Sequence, residues 1–243
     1  MRSQQTRDGL VLYYSNMEIE ERMEAALRRS GLIPTLEAPV TPLDRFIEQY
    51  LGVVLDEWAE LDADLMGQTD FTDRPIRISI NRRLTEEADH PGCHPGLKGR
   101  RRATLAHEAA HVLLHEPLCP SQHPDQENLF EEEPPSSKRC LQRCFARDIF
   151  PSPGRPPSDW REVQANKGMA ALLMPRPVFC EAACQQIRQA GWSEDQIFQD
   201  SPEAQILTVE LARFFQVSRQ ACEIRLRTLN FLHDRSQPRL AGF

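Results

Sequence analysis

Apolar residues recur with a helical period over most of this chain and with a strand period over only a few short stretches. Met17, Met23, Ala26 and Leu27 line one side of a charged segment, so a helix is expected over residues 17–29, stopped by Ser30-Gly31. The polar start of the chain is briefly apolar at residues 10–14, and Pro34 and Pro39 mark a connector. Thr41-Pro42-Leu43-Asp44 reads as a helix start with Thr41 as N-cap and Pro42 in the first turn; Phe46, Ile47, Tyr50 and Leu51 supply the apolar face and Gly52 ends it. Residues 53–55 and 61–66 are expected as short strands, the second ending at Gly67. Ile76-Arg-Ile-Ser-Ile80 alternates strictly, which predicts a half-buried strand with Arg77 and Ser79 outward, closed by Asn81. Residues 85–99 hold two Pro and three Gly and are expected as a loop, with Arg100-Arg-Arg102 solvated at its end.

The next stretch, residues 104–115, is apolar almost all round: Leu105, Ala106, Ala109, Ala110, Val112, Leu113 and Leu114 surround His107, Glu108, His111 and His115. Such a helix belongs in a core, where two imidazoles and a carboxylate are costly unless a metal or other partners satisfy them. His107 and His111 are one turn apart on one face and can reach one ion. Glu108 is turned about 100° from His107, beside the ligands rather than among them, where a general base for hydrolysis is needed. A catalytic zinc site commonly takes three protein ligands. His115 continues the four-residue series, but it lies about 12 Å along the helix axis from His107, too far to share one ion with it. Glu162 opens a second, largely apolar helix and is the stronger candidate for third ligand; Asp159, just before it, is the alternative.

Residues 116–159 break the pattern. Glu131-Glu-Glu133, Pro134-Pro135 and the proline-rich run 151–157 cannot build a core, so a largely irregular surface insertion is expected, with one short helix over 138–149. Order resumes at Trp160. A buried helix over 162–174 stops before Pro175, a helix over 178–190 ends at Gly191, and Ser193 to Gln196 reads as a capping box. Ser201-Pro202 starts a helix running to Phe215, and Ser218 caps a final one running to about Leu232.

Composition narrows the setting. The 243 residues carry a formal net charge of −7, which disfavours nucleic-acid binding by the whole surface. No apolar run reaches membrane-spanning length and no signal-peptide core opens the chain. Seven cysteines without a small disulfide framework point to a reducing cytoplasm. Cys140 and Cys144, with Cys119, His123, Cys93 and His94, lack the spacing of a zinc knuckle and read as scattered thiols or a redox-sensitive pair rather than a second metal site; Cys180 and Cys184 read as packing. Arg213, Arg219, Arg225 and Arg227 lie among acidic residues in the last two helices, which favours docking or structure over direct DNA contact.

Residues 101–115, the segment Glu-Val-Gln-Ala-Asn-Lys-Gly-Met-Ala-Ala-Leu-Leu-Met-Pro at 162–175, and Leu211-Ala-x-x-Phe-x-Val217-Ser218-x-x-Ala221-x-x-x-Arg225-Leu226 resemble the ImmA/IrrE metallopeptidases in order and spacing. The Thr41-Pro42 helix and the strand ending at Asn81 fit the same pattern. The resemblance implies an α+β fold: a mainly helical, zincin-like metallopeptidase domain with a small β-sheet, then a small helical, helix-turn-helix-like domain. The corresponding divisions are an N-terminal helical arm (1–38), the peptidase domain (39–180, with insertion 116–159) and the C-terminal domain (181–243). It implies His107, His111 and Glu162 as ligands of Zn2+ (or another divalent ion such as Mn2+) and Glu108 as catalytic base. It also implies a protein substrate, a helix-turn-helix repressor inactivated by cleavage in a DNA-damage response or in control of mobile elements. The long insertion and the absence of a sensor-like third domain depart from the family pattern. The reading from another class is a non-catalytic repressor-binding or DNA-binding regulator with a structural metal.

Overall fold

Two buried helices packed side by side form the middle of the molecule, and a small mixed sheet lies across one of them. The computed structural model describes residues 2–6, 9–72, 74–119, 141–145, 159–193 and 197–234. The fold is mixed α+β, with eight α-helices among the described residues.

The chain opens with an antiparallel hairpin, β1 (Arg2–Thr6) and β2 (Gly9–Tyr13), where only a brief apolar run was expected. Helix α1 (Asn16–Ser30) follows, with a capping box at Ser15 and Glu18 and Gly31 as left-handed C-cap at φ 68°. Ile19, Met23, Ala26 and Leu27 form its buried face. Helix α2 (Leu43–Arg45) runs on as a π-helical stretch, Phe46–Tyr50. Thr41 is not its N-cap: the hydroxyl is fully buried and donates instead to the carbonyl of Leu172, 2.6 Å away.

Strands β3 (Val54–Ala59), β4 (Leu65–Asp70) and β5 (Arg77–Asn81) join a fourth, β6 (Leu141–Phe145), in the order β3-β5-β4-β6. β3 is parallel to β5; β4 is antiparallel to both of its neighbours. β4 does not end at Gly67 but passes through it. β6 replaces the helix expected over 138–149 where that segment is described. Ser79, expected outward, is buried, because β5 is a central strand and the next helix packs on it and on β3. That helix, α3 (Arg82–Asp89), stands where a loop was expected; Asn81 caps it by accepting from the Arg83 N–H.

Helix α4 (Pro95–His115) begins well before the expected point, capped by the His94 side chain, and runs for 21 residues. Arg100 to Arg102 are therefore helical. Arg101 pairs with Glu57 and Arg102 donates to the Thr41 carbonyl, so neither is a solvated loop charge. A 3-10 turn, Glu116–Leu118, ends this part of the chain. Four helices complete the fold: α5 (Trp160–Leu173), α6 (Arg176–Gln189), α7 (Pro202–Phe215) and α8 (Arg219–Thr228). Ser201 and Ser218 cap α7 and α8 as expected. Most of the 116–159 insertion and residues 194–196 of the expected capping box lie outside the described residues, as do Cys140 and His123.

Buried apolar side chains from Leu12 to Leu232 form one contiguous cluster. Each fully buried Leu, Ile or Phe in it contributes about 1.5–3 kcal/mol of transfer free energy. Two polar side chains lock the cluster. Gln164 of α5 is fully buried; its amide donates to the Leu12 carbonyl and accepts from the Tyr14 N–H, which fastens the N-terminal arm to α5. Arg225 of α8 is 3% exposed, pairs with Glu20 of α1 and donates twice to the Met174 carbonyl at the end of α5. No described helix is long and apolar enough to cross a membrane.

Candidate metal centre

The helical period of α4 puts His107 and His111 one turn apart, facing α5. The two helices approach closely at Gly168, where an added Cβ would stand 2.7 Å from the Cβ of Ala110. That contact brings the first turn of α5 alongside the imidazoles. Glu162 Oε2 then lies 3.0 Å from His107 Nε2, and Glu162 Oε1 3.4 Å from His111 Nε2. The two Nε2 atoms are 3.0 Å apart. A tetrahedral ion with ligand bonds of about 2.0–2.1 Å requires donor separations of about 3.3–3.4 Å. The three donors sit within a few tenths of an ångström of that requirement, and their ligand atoms lie within 4.8 Å of one another. Two imidazoles and one carboxylate are a donor set that suits a divalent ion with an open position.

The outer side of each imidazole is held. His107 Nδ1 donates to Asn166 Oδ1 at 3.0 Å, one turn beyond Glu162 on the same face of α5. His111 Nδ1 and His115 Nδ1 share a hydrogen bond at 2.9 Å, with the donor set by the tautomer. The amide oxygen of Asn166 can only accept, so that bond fixes the His107 tautomer that leaves Nε2 free to ligate. His115 is thus not a ligand, and although it ends the helix, its ring is buried against His111 rather than turned to solvent. Burial, joined by the His111 ring and Arg161, holds its pKa well below the usual histidine range. Asp159 lies outside the cluster: it caps α5, accepting from the Arg161 N–H and guanidinium.

Glu108 stands beside the donors on α4. Its Oε2 accepts from the Thr69 hydroxyl of β4 at 2.6 Å. Its Oε1 is buried and has no hydrogen-bond partner among the described residues. Burial raises its pKa above the usual carboxylate range, against the pull of both imidazoles and Thr69. Gly67 of β4 makes this approach feasible, since an added Cβ would stand 3.1 Å from Glu108 Oε1 and 2.8 Å from Thr104 Cγ2. Glu162 is held below the usual range: burial opposes ionisation, but His111 and His107 outweigh it. His107 is raised for the complementary reason, Glu162 and Glu108 overcoming its burial.

His107, Glu108 and His111 stand as the helical spacing placed them, and Glu162 rather than Asp159 joins the two histidines from the second helix. Thr69, Gly67, Asn166 and Cys144, whose Sγ lies within 4.8 Å of ligand atoms of His107 and Glu108, were not foreseen as parts of the site. Asn166 had a signal, its four-residue step from Glu162. The other three come from strands whose pairing with the helix no local pattern records. No protein-family model, curated protein or solved structure matches this chain.

Proposed function

We propose that this chain is a zinc-dependent, site-specific endopeptidase with a zincin-like centre of the ImmA/IrrE kind, acting in the cytoplasm on a helix-turn-helix transcriptional repressor. One observation carries the reading. The Nε2 atoms of His107 and His111 and the Glu162 carboxylate converge at ion-binding separations, with a buried carboxylate, Glu108, beside them and one of its oxygens unengaged. A purely structural metal has no use for that fourth group. The substrate class rests on the resemblance of residues 101–115, 162–175 and 211–226.

A divalent ion held there supplies Lewis acidity, making a water nucleophilic near neutral pH and polarising a scissile carbonyl. The residues do the rest. Asn166 and His115 hold the imidazoles in register. Thr69 ties down one oxygen of Glu108, so Oε1 is the lobe that takes the proton of the attacking water. The same atom then delivers the proton to the leaving amide nitrogen.

The test is incubation of the zinc-loaded chain with a co-encoded helix-turn-helix repressor. A single chelator-sensitive cut, lost in Glu108→Gln with metal content unchanged, is the expected result. A stable complex with intact repressor would favour the non-catalytic antagonist instead.

A further inference from the structure

The two imidazoles of the centre have outer partners of unlike chemistry. Asn166 Oδ1, 3.0 Å from His107 Nδ1, can only accept, so the fold itself sets the His107 proton on Nδ1. The partner of His111 is a third imidazole, with the Nδ1 atoms of His111 and His115 2.9 Å apart. At that separation the pair holds one proton between them, because two bare nitrogens repel and two N–H groups collide. A neutral imidazole carries its proton on either nitrogen. Each ring is therefore able to be the donor, and the fold leaves the direction open.

His115 is held firmly in this place. The four-residue step on α4 sets it one turn beyond His111, with the ring centres 5.0 Å apart, and burial leaves it 1% exposed. Its far nitrogen, Nε2, is also buried and has no hydrogen-bond partner among the described residues. As packing alone this is a costly residue, since a buried polar atom without a partner keeps its full desolvation penalty. A leucine fills such a space without that penalty. The one engaged atom of the ring, Nδ1, faces a candidate ligand, and that contact gives the imidazole its use.

An ion on His111 Nε2 closes the choice. The Nε2 lone pair is then committed to the metal, so the neutral ring holds its proton on Nδ1 and becomes the donor. His115 Nδ1 must accept, and the His115 proton stands on Nε2. We infer, on the metallopeptidase reading above, that His115 is the positioning residue of His111: in the metal-loaded chain it accepts the His111 Nδ1 proton, with its own proton on Nε2. The bond fixes the plane of the ligand ring and strengthens Nε2 as a donor to the ion. His115 touches neither the ion nor the substrate. His107 is thus set for metal by the fold in advance, whereas the direction of the His111–His115 bond is set by the ion.

The experiment labels the histidines of the full chain with 15N, loads it with zinc and records the long-range 1H–15N spectrum, which reads the protonated nitrogen of each ring. His107 and His111 are expected with the proton on Nδ1, and His115 neutral with the proton on Nε2. Zinc affinity is then measured by competition with a chromophoric chelator, on variants whose metal-free chain keeps its urea-unfolding transition. His115→Leu should bind zinc about 10- to 100-fold more weakly. His115→Asn, whose Oδ1 branches from Cγ as the imidazole Nδ1 does and only accepts, should keep most of the affinity. A zinc-loaded wild type with the His115 proton on Nδ1 overturns the inference and leaves the metal centre standing; this readout needs no variant to fold. A folded His115→Leu with unchanged affinity, or a folded His115→Asn as weak as the leucine variant, overturns it too. A wild-type chain that binds no zinc overturns the metallopeptidase reading and this inference with it.

Discussion

Gly168 of α5 lies against Ala110 of α4 so closely that a methyl group at 168 would stand 2.7 Å from the Ala110 Cβ, with Leu114 and Met23 each 3.5 Å away. This contact lets Glu162, six residues earlier, reach both imidazoles. Alanine is the better helix former by about 0.8–1.0 kcal/mol, but overpacking costs about 1–3 kcal/mol. Gly168→Ala is therefore expected to lower stability on denaturant unfolding and to weaken metal binding as Glu162 is displaced, with Gly168→Leu worse in both. A stabilised Gly168→Ala would show that the helices part without cost.

Thr69 is the partner that steadies Glu108. Its hydrogen bond lowers the Glu108 pKa against the larger effect of burial. Thr69→Val removes that bond, so the Glu108 pKa rises further and the acid limb of the pH–rate profile moves to higher pH. A hydrogen bond to a charged group is worth about 1.5–3 kcal/mol, which sets the upper size of the shift. Metal content should not change. A profile that stays in place would remove Thr69 from the catalytic arrangement.

Asn166 orients His107 through Nδ1 and leaves Nε2, the candidate donor, unobstructed. Removal of such an outer partner typically costs 10- to 100-fold in metal affinity, so Asn166→Ala is expected to weaken zinc by about that factor in a competition titration. Asn166→Asp, which keeps the acceptor, should retain most of it. Equal loss in both would mean that the bond does not matter.

Protons compete with metal at this centre. The folded metal-free chain holds His107 with a raised pKa and Glu162 with a lowered one. The raised His107 stabilises the metal-free fold fully below the ordinary histidine value of 6.5, and that contribution is lost as pH rises through the folded pKa. The lowered Glu162 contributes above 4.5 and its share is lost as pH falls through the folded pKa. The metal-free chain is thus best served by the pair between about pH 4.5 and 6.5. Metal must displace the His107 proton, so zinc affinity should climb with pH through the raised pKa. Calorimetry in buffers of different ionisation enthalpy counts the released proton, and a pH-independent affinity would contradict the assignment.

Arg225 is a clamp rather than a nucleic-acid contact, since it is buried against Glu20 and Met174. Breaking a buried pair from one side costs about 3–5 kcal/mol, and Glu20 is only partly exposed, so Arg225→Ala should lose about 3 kcal/mol in urea unfolding. A loss below about 1 kcal/mol would place the pair in the range of surface ion pairs.

Much of the helical part of the centre was legible along the chain. His107, Glu108 and His111 keep their mutual placement because a helix fixes it within one turn, and Ser201, Ser218 and Gly31 mark helix ends through local backbone chemistry. Local signals misled where two structures share them. The prolines and glycines of 85–99 suggested a loop, yet Asn81 and His94 each cap a helix there. The pattern at 141–145 hid a strand, because its buried face carries Gln142 beside Cys144.

The sequence by itself determined the donor types, their helical spacing and the buried character of the helix that carries them, because these depend on contacts within a few residues. Tertiary structure alone decided that Gly168 admits α5 to α4, that β4 brings Thr69 to Glu108, and that β6 sets Cys144 beside both Glu108 and His107. Those contacts join residues 36 to 58 positions apart, counting Cys144 to Glu108, Thr69 to Glu108 and Gly168 to Ala110. Strand register and helix–helix approach at such separations are set by packing over the whole core, which no local period encodes.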